Sequence, residues 1–306
     1  MRRVLCIYHR IDLDGWMSAA IVRMGMKAGE DELRELGYNY GDDLDALERA
    51  IAGYDRIFMV DVSLPVRMMN ALQEKLGDDF IWIDHHASAI EDNDSSIKGS
   101  RDVTKAACEL TWEFLFDKEM PTIVRMLGRY DCFGHKGTEE EQQVLEFQYG
   151  ARTFIYDVNT AFHYLISDIT DRENKVDSHP SSAISLIHQA GVSIYKFLTA
   201  RAEQVFKRGF DVLIPEQTDT WPVKFKRFIA FNEERFNPIN FGWDYHQDGY
   251  DGAMCFHYQN GKWCFSLYND DGTVDCSAIA KRYGGGGHKG AAGFRTTDLK
   301  SVIGKE

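Results

Sequence analysis

The sequence predicts an α/β protein: a parallel sheet with helices on both faces, then a helical linker, then a smaller α+β domain. Three observations lead there. Short apolar runs alternate with amphipathic helical stretches over the first ninety residues, helical periodicity fills the middle, and short strands broken by turns begin near residue 223. At 306 residues the chain exceeds the roughly 100–150 residues that one compact core usually holds. The expected boundaries are 1–188 for the first domain, 189–222 for the linker and 223–306 for the second.

Val4–Tyr8 (VLCIY) reads as a strand from its unbroken apolar run, and it ends in a polar turn, His9 to Gly15, before a helix beginning near Trp16. Asp42 and Asp43 can cap a helix whose Leu44, Leu47 and Ile51 share a face, and Gly53 ends it. Ile57–Val60 (IFMV) is the next strand. Pro65 then suits a first helical turn, with Val66, Met69, Leu72 and Leu76 on one face and Gly77 as the stop. Phe80–Ile83 (FIWI) is another buried strand. Apolar strands joined through helices belong to a parallel sheet covered on both sides. From Thr104 to about Arg208 the apolar spacing is helical, with one long helix over roughly Ser182–Lys207. Asp211 to Pro222 holds two prolines and few apolar positions and reads as linker, whereas QNGKWCFSLYNDDG beyond it reads as strand, turn and strand.

Composition narrows the function classes. With 44% hydrophobic and 27% charged residues, wholesale disorder is excluded. No stretch approaches the ~18 uncharged apolar residues of a membrane span, and MRRVLCIYHRID meets charge too early for a signal peptide, so a cytoplasmic protein without a membrane partner is expected. The 6 cysteines form no CxxC pair and read as buried free thiols. A net charge of −13 argues against binding long duplex nucleic acid, which requires a basic face. The charge is uneven: residues 1–189 carry 20 basic and 34 acidic side chains, residues 190–306 carry 15 and 14.

Ligands of an open parallel sheet bind beyond the carboxyl ends of its strands, so the residues just after each strand are informative. VLCIY is followed by HRIDLDG, IFMV by DVS, and FIWI by DHHAS. These ends deliver His9, Asp12, Asp14, Asp61, Asp84, His85 and His86 to one sheet edge. A single aspartate after a buried strand is often only a helix cap. Carboxylates crowded together repel unless a cation neutralises them, so the set calls for metal. Mixed Asp and His ligation suits Mn²⁺ first, with Mg²⁺, Co²⁺ or Fe²⁺ as alternatives. Two ions about 3.5–4 Å apart could hold a water for in-line attack at phosphorus, which implies phosphoester hydrolysis. A second signal is Gly284–Gly293, GGGGHKGAAG. Gly285, Gly286 and Gly287 allow close backbone approach, and His288 and Lys289 add donors and positive charge suited to an anion.

Together these motifs resemble the DHH phosphoesterase family, in the subgroup with the DHH-associated C-terminal domain. HRIDLDG resembles the first motif, DVS at 61–63 the second, DHH at 84–86 the third, and GGGGHKGAAG the C-terminal signature. Asp131 in LGRYDCFGH best matches the fourth, an aspartate on a helix. The resemblance implies that His9 and Asp12 hold one Mn²⁺, that Asp14, His85 and Asp131 hold the other, and that Asp61 bridges both. It makes Asp14, Asp61 and His86 the catalytic group, with Asp84 orienting a neighbouring histidine and His86 contacting substrate phosphate. Gly285, Gly286, Gly287, His288 and Lys289 would bind the far side of the substrate, in a cleft between domains.

This chain departs from the family pattern twice. Its first-motif aspartates stand three and five positions after His9, where several relatives use four and six, so which of them holds which metal stays open. Tyr268 and Asn269 follow Ser266 and Leu267 where many relatives have an arginine, and Arg152 is a candidate substitute. His135 could face the site or solvent.

The expected function is that of a di-manganese phosphodiesterase acting on short nucleotides such as nanoRNA or linear or cyclic dinucleotides, since an acidic chain offers no extended track for a long strand. Alternatives are a single-strand exonuclease of the RecJ type, a phosphomonoesterase of the 3′-phosphoadenosine 5′-phosphate type, and a non-enzymatic nucleotide sensor. Phe231, Phe236, Trp243 and Tyr245 could stack a base or two. A homodimer is left open.

Overall fold

The computed structural model describes residues 1–215, 224–234 and 236–303, and the chain divides into two compact units, Met1–Tyr195 and Lys196–Glu306. In the first, strands β1 (Arg2–His9), β2 (Asp31–Tyr38), β3 (Arg56–Val60) and β4 (Phe80–Ile83) form one sheet in the order β2-β1-β3-β4, parallel throughout. Alternate residues feed two cores. Val4, Cys6, Phe58, Val60, Ile81 and Ile83 pack with helices α1 (Leu13–Gly25), α5 (Ala107–Leu115), α6 (Thr122–Asp131), α7 (Glu141–Phe154) and α8 (Val158–Glu173). Leu5, Ile7, Ile57, Met59, Phe80 and Trp82 pack on the other face with α2 (Leu44–Ala50) and α3 (Val66–Leu76). A sheet apolar on both faces is what VLCIY, IFMV and FIWI predict. Helix α4 (Ala87–Asp92) follows β4, and α9 (Ala183–Phe206) begins in the first unit and ends in the second.

The strand β2 is absent from the expectation. Its sequence, DELRELGY, places Leu33 and Leu36 three apart, out of step with strand alternation, and its charges mask the rest. At the sheet edge such a strand needs only one paired neighbour. Arg23 of α1 holds it through Glu35, with Nε donating to Oε1 at 2.7 Å.

The second unit is a six-stranded sheet ordered β5-β6-β7-β8-β10-β9. Its strands are β5 (Phe210–Pro215), β6 (Phe225–Phe231), β7 (Gly252–Gln259), β8 (Lys262–Tyr268), β9 (Gly286–Gly287) and β10 (Ala291–Thr296), with helices α10 (Cys276–Lys281) and α11 (Lys300–Ile303). All pairs are antiparallel except β6 with β7. Asn260 (φ 50°) and Gly261 (φ 79°) make the turn between β7 and β8, the left-handed pair that a two-residue hairpin prefers. The reading of Asp211 to Pro222 as linker is corrected in its first part. Residues 211–215 lie in β5, where Val212 and Ile214 are buried and Asp211 and Leu213 exposed, a strand alternation spread thinly over an edge. Residues 216–222 of that stretch lie outside the described residues. Among the described residues no helix is long and apolar enough to cross a membrane.

Candidate metal centre

Each strand end delivers its side chains by a different local device. His9 ends β1, and Asp12 is the N-cap of α1, its Oδ1 accepting the Gly15 N–H at 2.9 Å. A Cβ on Gly15 would stand 1.9 Å from the His9 carbonyl oxygen, so only glycine lets the helix start this close to the strand. Asp61 follows β3 at φ 59°, a left-handed conformation uncommon outside glycine. Its N–H donates to the Ile83 carbonyl at 3.0 Å, one step beyond the paired strands. Asp84 follows β4 and is wholly buried. Its Oδ1 accepts the His85 and His86 N–H groups at 2.8 and 3.2 Å and meets His86 Nδ1 at 2.7 Å, while Oδ2 accepts from Trp82 Nε1 at 3.3 Å. Asp14, in the first turn of α1, caps α5: its oxygens accept the Ala107 and Cys108 N–H groups at 2.9 and 2.7 Å. Asp131 arrives from the last position of α6.

These side chains converge. His85 Nε2 lies 3.7 Å from Asp14, 3.4 Å from Asp61 Oδ1 and 3.3 Å from Asp131. His9 Nδ1 lies 2.7 Å from Asp12 and 3.5 Å from Asp61 Oδ2. Asp61 therefore links the donor groups His9–Asp12–Asp61 and Asp14–Asp61–His85, turning one oxygen toward each of their histidines. A third group joins Asp61, Asp84 and His86. His9 Nδ1 and Asp61 Oδ2 are buried, and neither makes an aligned hydrogen bond. Buried polar atoms are rarely left this way, and two of them facing each other among carboxylates and imidazoles fit a divalent cation.

The electrostatics agree. Burial, followed by the Asp61 charge, raises Asp14, and burial with the Asp12 charge raises Asp61. Burial and Asp14 push Asp131 up to about 7. For the histidines burial disfavours the cation, yet the carboxylates prevail: Asp12 and Asp61 raise His9 to about 11, Asp61 with Asp131 raises His85 to about 11, and Asp84 raises His86 to about 9. Protons hold the metal-free site together. A cation would take their place.

Three contributors escaped the sequence reading. Asn39, directly after β2, sets Oδ1 3.2 Å from His9 Nε2. The amide oxygen can only accept, so Nε2 carries a proton and Nδ1 is directed at Asp12 and Asp61. Tyr40, the next residue, has its ring 6.0 Å from that of His9. Arg101 donates from Nη1 to the Trp82 carbonyl at 3.0 Å and from Nη2 to that of Ile97 at 2.7 Å, holding the end of β4. The strand β2 would have pointed to the first two, had its pattern been legible.

Two other expected residues of the first unit, Arg152 and His135, make contacts with its helices. Arg152 stacks over Tyr130 and Tyr149, 5.5 and 5.2 Å from their ring centres, with Nη2 3.3 Å from the Tyr130 hydroxyl. His135 faces no solvent: it is buried, stacked on Tyr130, with Nδ1 2.9 Å from the Arg129 carbonyl. In the second unit, part of the glycine run serves the fold. A Cβ on Gly285 would meet the Gly293 carbonyl at 2.1 Å, and the N–H groups of Gly284, Gly285 and His288 donate to backbone carbonyls. Gly286, Gly287 and Lys289 are exposed and His288 half-buried. Asn269 is buried, its amide donating to the Asp251 carbonyl at 2.9 Å and to Asp271 at 2.8 Å, and so acts as a loop staple. Phe231, Phe236 and Tyr245 are buried and Trp243 packs against them, so that group is core.

Fold and donor set define a class, a parallel-sheet domain whose carboxyl edge is arranged to hold cations. Residues 3–130 match the DHH family, N-terminal domain, a family whose members are phosphoesterases. No curated protein matches the sequence. Among solved structures, exonuclease RecJ bound to manganese is similar over 96% of this chain and 85% of its own, with a TM-score of 0.50 and 14% identity. An exopolyphosphatase-related protein from Bacteroides fragilis is similar over 97% and 88%, with a TM-score of 0.50 and 12% identity. A pGpG-specific phosphodiesterase from Vibrio cholerae aligns over 98% and 95%, with a TM-score of 0.41 and 12% identity. At these identities the likeness is one of fold.

Proposed function

We propose that this protein is a cytoplasmic, metal-dependent phosphodiesterase that hydrolyses short nucleotides such as nanoRNA or linear or cyclic dinucleotides. The observation that carries the reading is the division of Asp61 between two donor groups, one oxygen toward His9 and one toward His85. His9 and Asp12 would hold one Mn²⁺, Asp14, His85 and Asp131 a second, with Asp61 shared. A manganese-bound exonuclease among the proteins of like fold supports the choice of metal. When bound, the ions supply charge neutralisation at phosphate and a water of lowered pKa.

The chain's own residues supply the rest. Asp84 fixes His86 through Nδ1 at 2.7 Å, so the ring meets a phosphate oxygen through Nε2. Its raised pKa keeps it a cation at neutral pH, as a phosphate contact requires. Asn39 and Asp84 each hold a histidine in one orientation, so the site is arranged before substrate arrives. In the second unit Gly286, Gly287, His288 and Lys289 form the proposed anion-binding segment. Arg152, held over two tyrosine rings, is a phosphate contact only if it leaves them.

The test is a panel of 5′-labelled dinucleotides, longer oligomers, cyclic dinucleotides and 3′-phosphoadenosine 5′-phosphate, each with Mn²⁺ and with chelator. Turnover of dinucleotides that chelator abolishes is expected. Preference for strands beyond about ten residues would favour an exonuclease instead, and binding without product a sensor.

A further inference from the structure

Tyr40 stands at the rim of the metal centre with its ends reversed from the usual order. Surface tyrosines bury the ring and turn the hydroxyl to water. Here the hydroxyl is engaged with the protein: it accepts the Ser63 N–H at 3.2 Å and lies 3.5 Å from Ser63 Oγ. Burial of that end, with the Asp84 charge, pushes the phenol up to about 12. Yet half of the residue's surface, 50%, is open. The open surface therefore belongs to the rest of the residue and not to the hydroxyl, which is tied to Ser63.

The ring is also fixed. It meets His9 at 6.0 Å and 60°, His86 at 6.4 Å and 74°, and Tyr38 at 6.2 Å and 69°. Its loop is tied down twice: Asp42 accepts the Asn39 N–H at 2.9 Å, and the Arg10 guanidinium at 2.8 Å from the neighbouring turn. A rigid, exposed aromatic face beside two site imidazoles is what a flat, apolar substituent on the substrate can use. Phosphate and sugar cannot. The aromatic group expected to stack bases, Phe231, Phe236 and Tyr245, is buried in the second unit.

We propose that Tyr40 is a base-stacking platform, on which the nucleobase of the nucleoside adjoining the scissile phosphate rests. This inference depends on the phosphodiesterase reading and adds to it that the substrate must carry a base beside the cleaved bond. A polyphosphate chain would have nothing to place there.

The experiment measures, by calorimetry on the full-length Mn²⁺-loaded protein, how much more tightly AMP binds than ribose 5-phosphate. In the wild type the base should improve affinity at least about tenfold, the scale of one base stacked on one ring. Tyr40→Leu should reduce that advantage below about threefold, and Tyr40→Phe and Tyr40→Trp, which keep an aromatic face, should retain most of it. An unchanged advantage in Tyr40→Leu overturns the proposal, as does equal weakening of both ligands, which would assign Tyr40 to holding Ser63 alone. No base advantage in the wild type overturns it too. If Tyr40→Leu does not fold, loss of the advantage in Tyr40→Trp overturns the proposal in its place. Failure of the wild type to cleave any dinucleotide would instead remove the phosphodiesterase reading, and a base advantage lost in Tyr40→Leu would still mark a nucleotide-binding face.

Discussion

The two units bury polarity in opposite ways. At one sheet edge the first buries His9, Asp14, Asp61, Asp84 and His85, whereas in the second, among the described residues, the buried polar side chains are Asn240 and Asn269. The acidic groups of the second unit serve turns and caps: Asp271 Oδ1 accepts the Thr273 N–H at 2.9 Å, and Asp275 caps α10. Removing a charge from water costs several kcal/mol, and nothing in the first unit's fold requires five such groups together. The difference separates polar residues that folding explains from those it does not. Asp84 is buried but served by three N–H donors. Asp61 keeps a buried oxygen with no hydrogen bond and adopts a strained backbone.

The sharpest way to break this contrast is Asp61→Asn. The variant should lose the shared metal ligand, retain at most one tightly bound Mn²⁺ by metal analysis, and lose roughly a thousandfold or more in turnover. In chelator it should melt within about 1 kcal/mol of the wild type, because asparagine accepts a left-handed backbone and no longer repels Asp14, which offsets the lost attraction of His9 and His85. A variant that loses metal but melts further below the wild type without it would mean that Asp61 is retained for folding.

The second prediction concerns pH. Without metal, Asp131 keeps its proton to about 7 against an ordinary 3.8, so the stability it contributes is lost as pH rises through about 7. His9 and His85 hold theirs to about 11 against 6.5, so their contribution declines from about 6.5 upward. Asp12 and Asp84 are held below 3.8, so theirs is already complete and flat in this window. Metal-free protein should therefore melt lower at pH 8.5 than at pH 6. A cation needs these same atoms deprotonated, so the rise in melting temperature on adding Mn²⁺ should grow over the same range. At a hundredfold excess over Kd that stabilisation is about 2.7 kcal/mol. A rise independent of pH would show that no protons are displaced.

Legibility in the sequence divides along the same line. The strands β1, β3 and β4 were legible because burial on both faces leaves uninterrupted apolar runs, at the edge position of β4 as much as in the centre, and the residues after them stood out because chemistry places charge where a strand should simply end. Strands β2 and β5, which were not read as strands, lie at sheet edges. Unlike β4, both are partly solvated, so their patterns are diluted by residues such as Glu32, Arg34 and Glu35, or Asp211 and Leu213. Missing β2 also hid Asn39 and Tyr40, which only its end brings to His9. Arg101 was hidden for another reason: it acts by donating to backbone carbonyls, which leave no trace in residue types.

Asn39 provides the third test. Asn39→Leu removes the acceptor that holds the His9 ring proton on Nε2, and Mn²⁺ affinity should fall about 10- to 100-fold. Asn39→Asp, which keeps an acceptor, should recover most of it. Equal loss in both would assign Asn39 to the shape of the loop after β2, since its N–H also binds Asp42.

Asn269→Ala probes the other half of the comparison and should have the smallest effect. The substitution removes hydrogen bonds to the Asp251 carbonyl and Asp271, which together would cost about 2 kcal/mol. It also removes a buried side-chain oxygen that has no partner, and relief of that oxygen offsets part of the loss. The net change should be about 1 kcal/mol in thermal unfolding, with Mn²⁺ affinity and its pH dependence unaltered. Altered Mn²⁺ binding would mean that a buried polar residue of the second unit also serves the metal site, and the separation between a unit whose polarity folding explains and one whose polarity it does not would fail at Asn269.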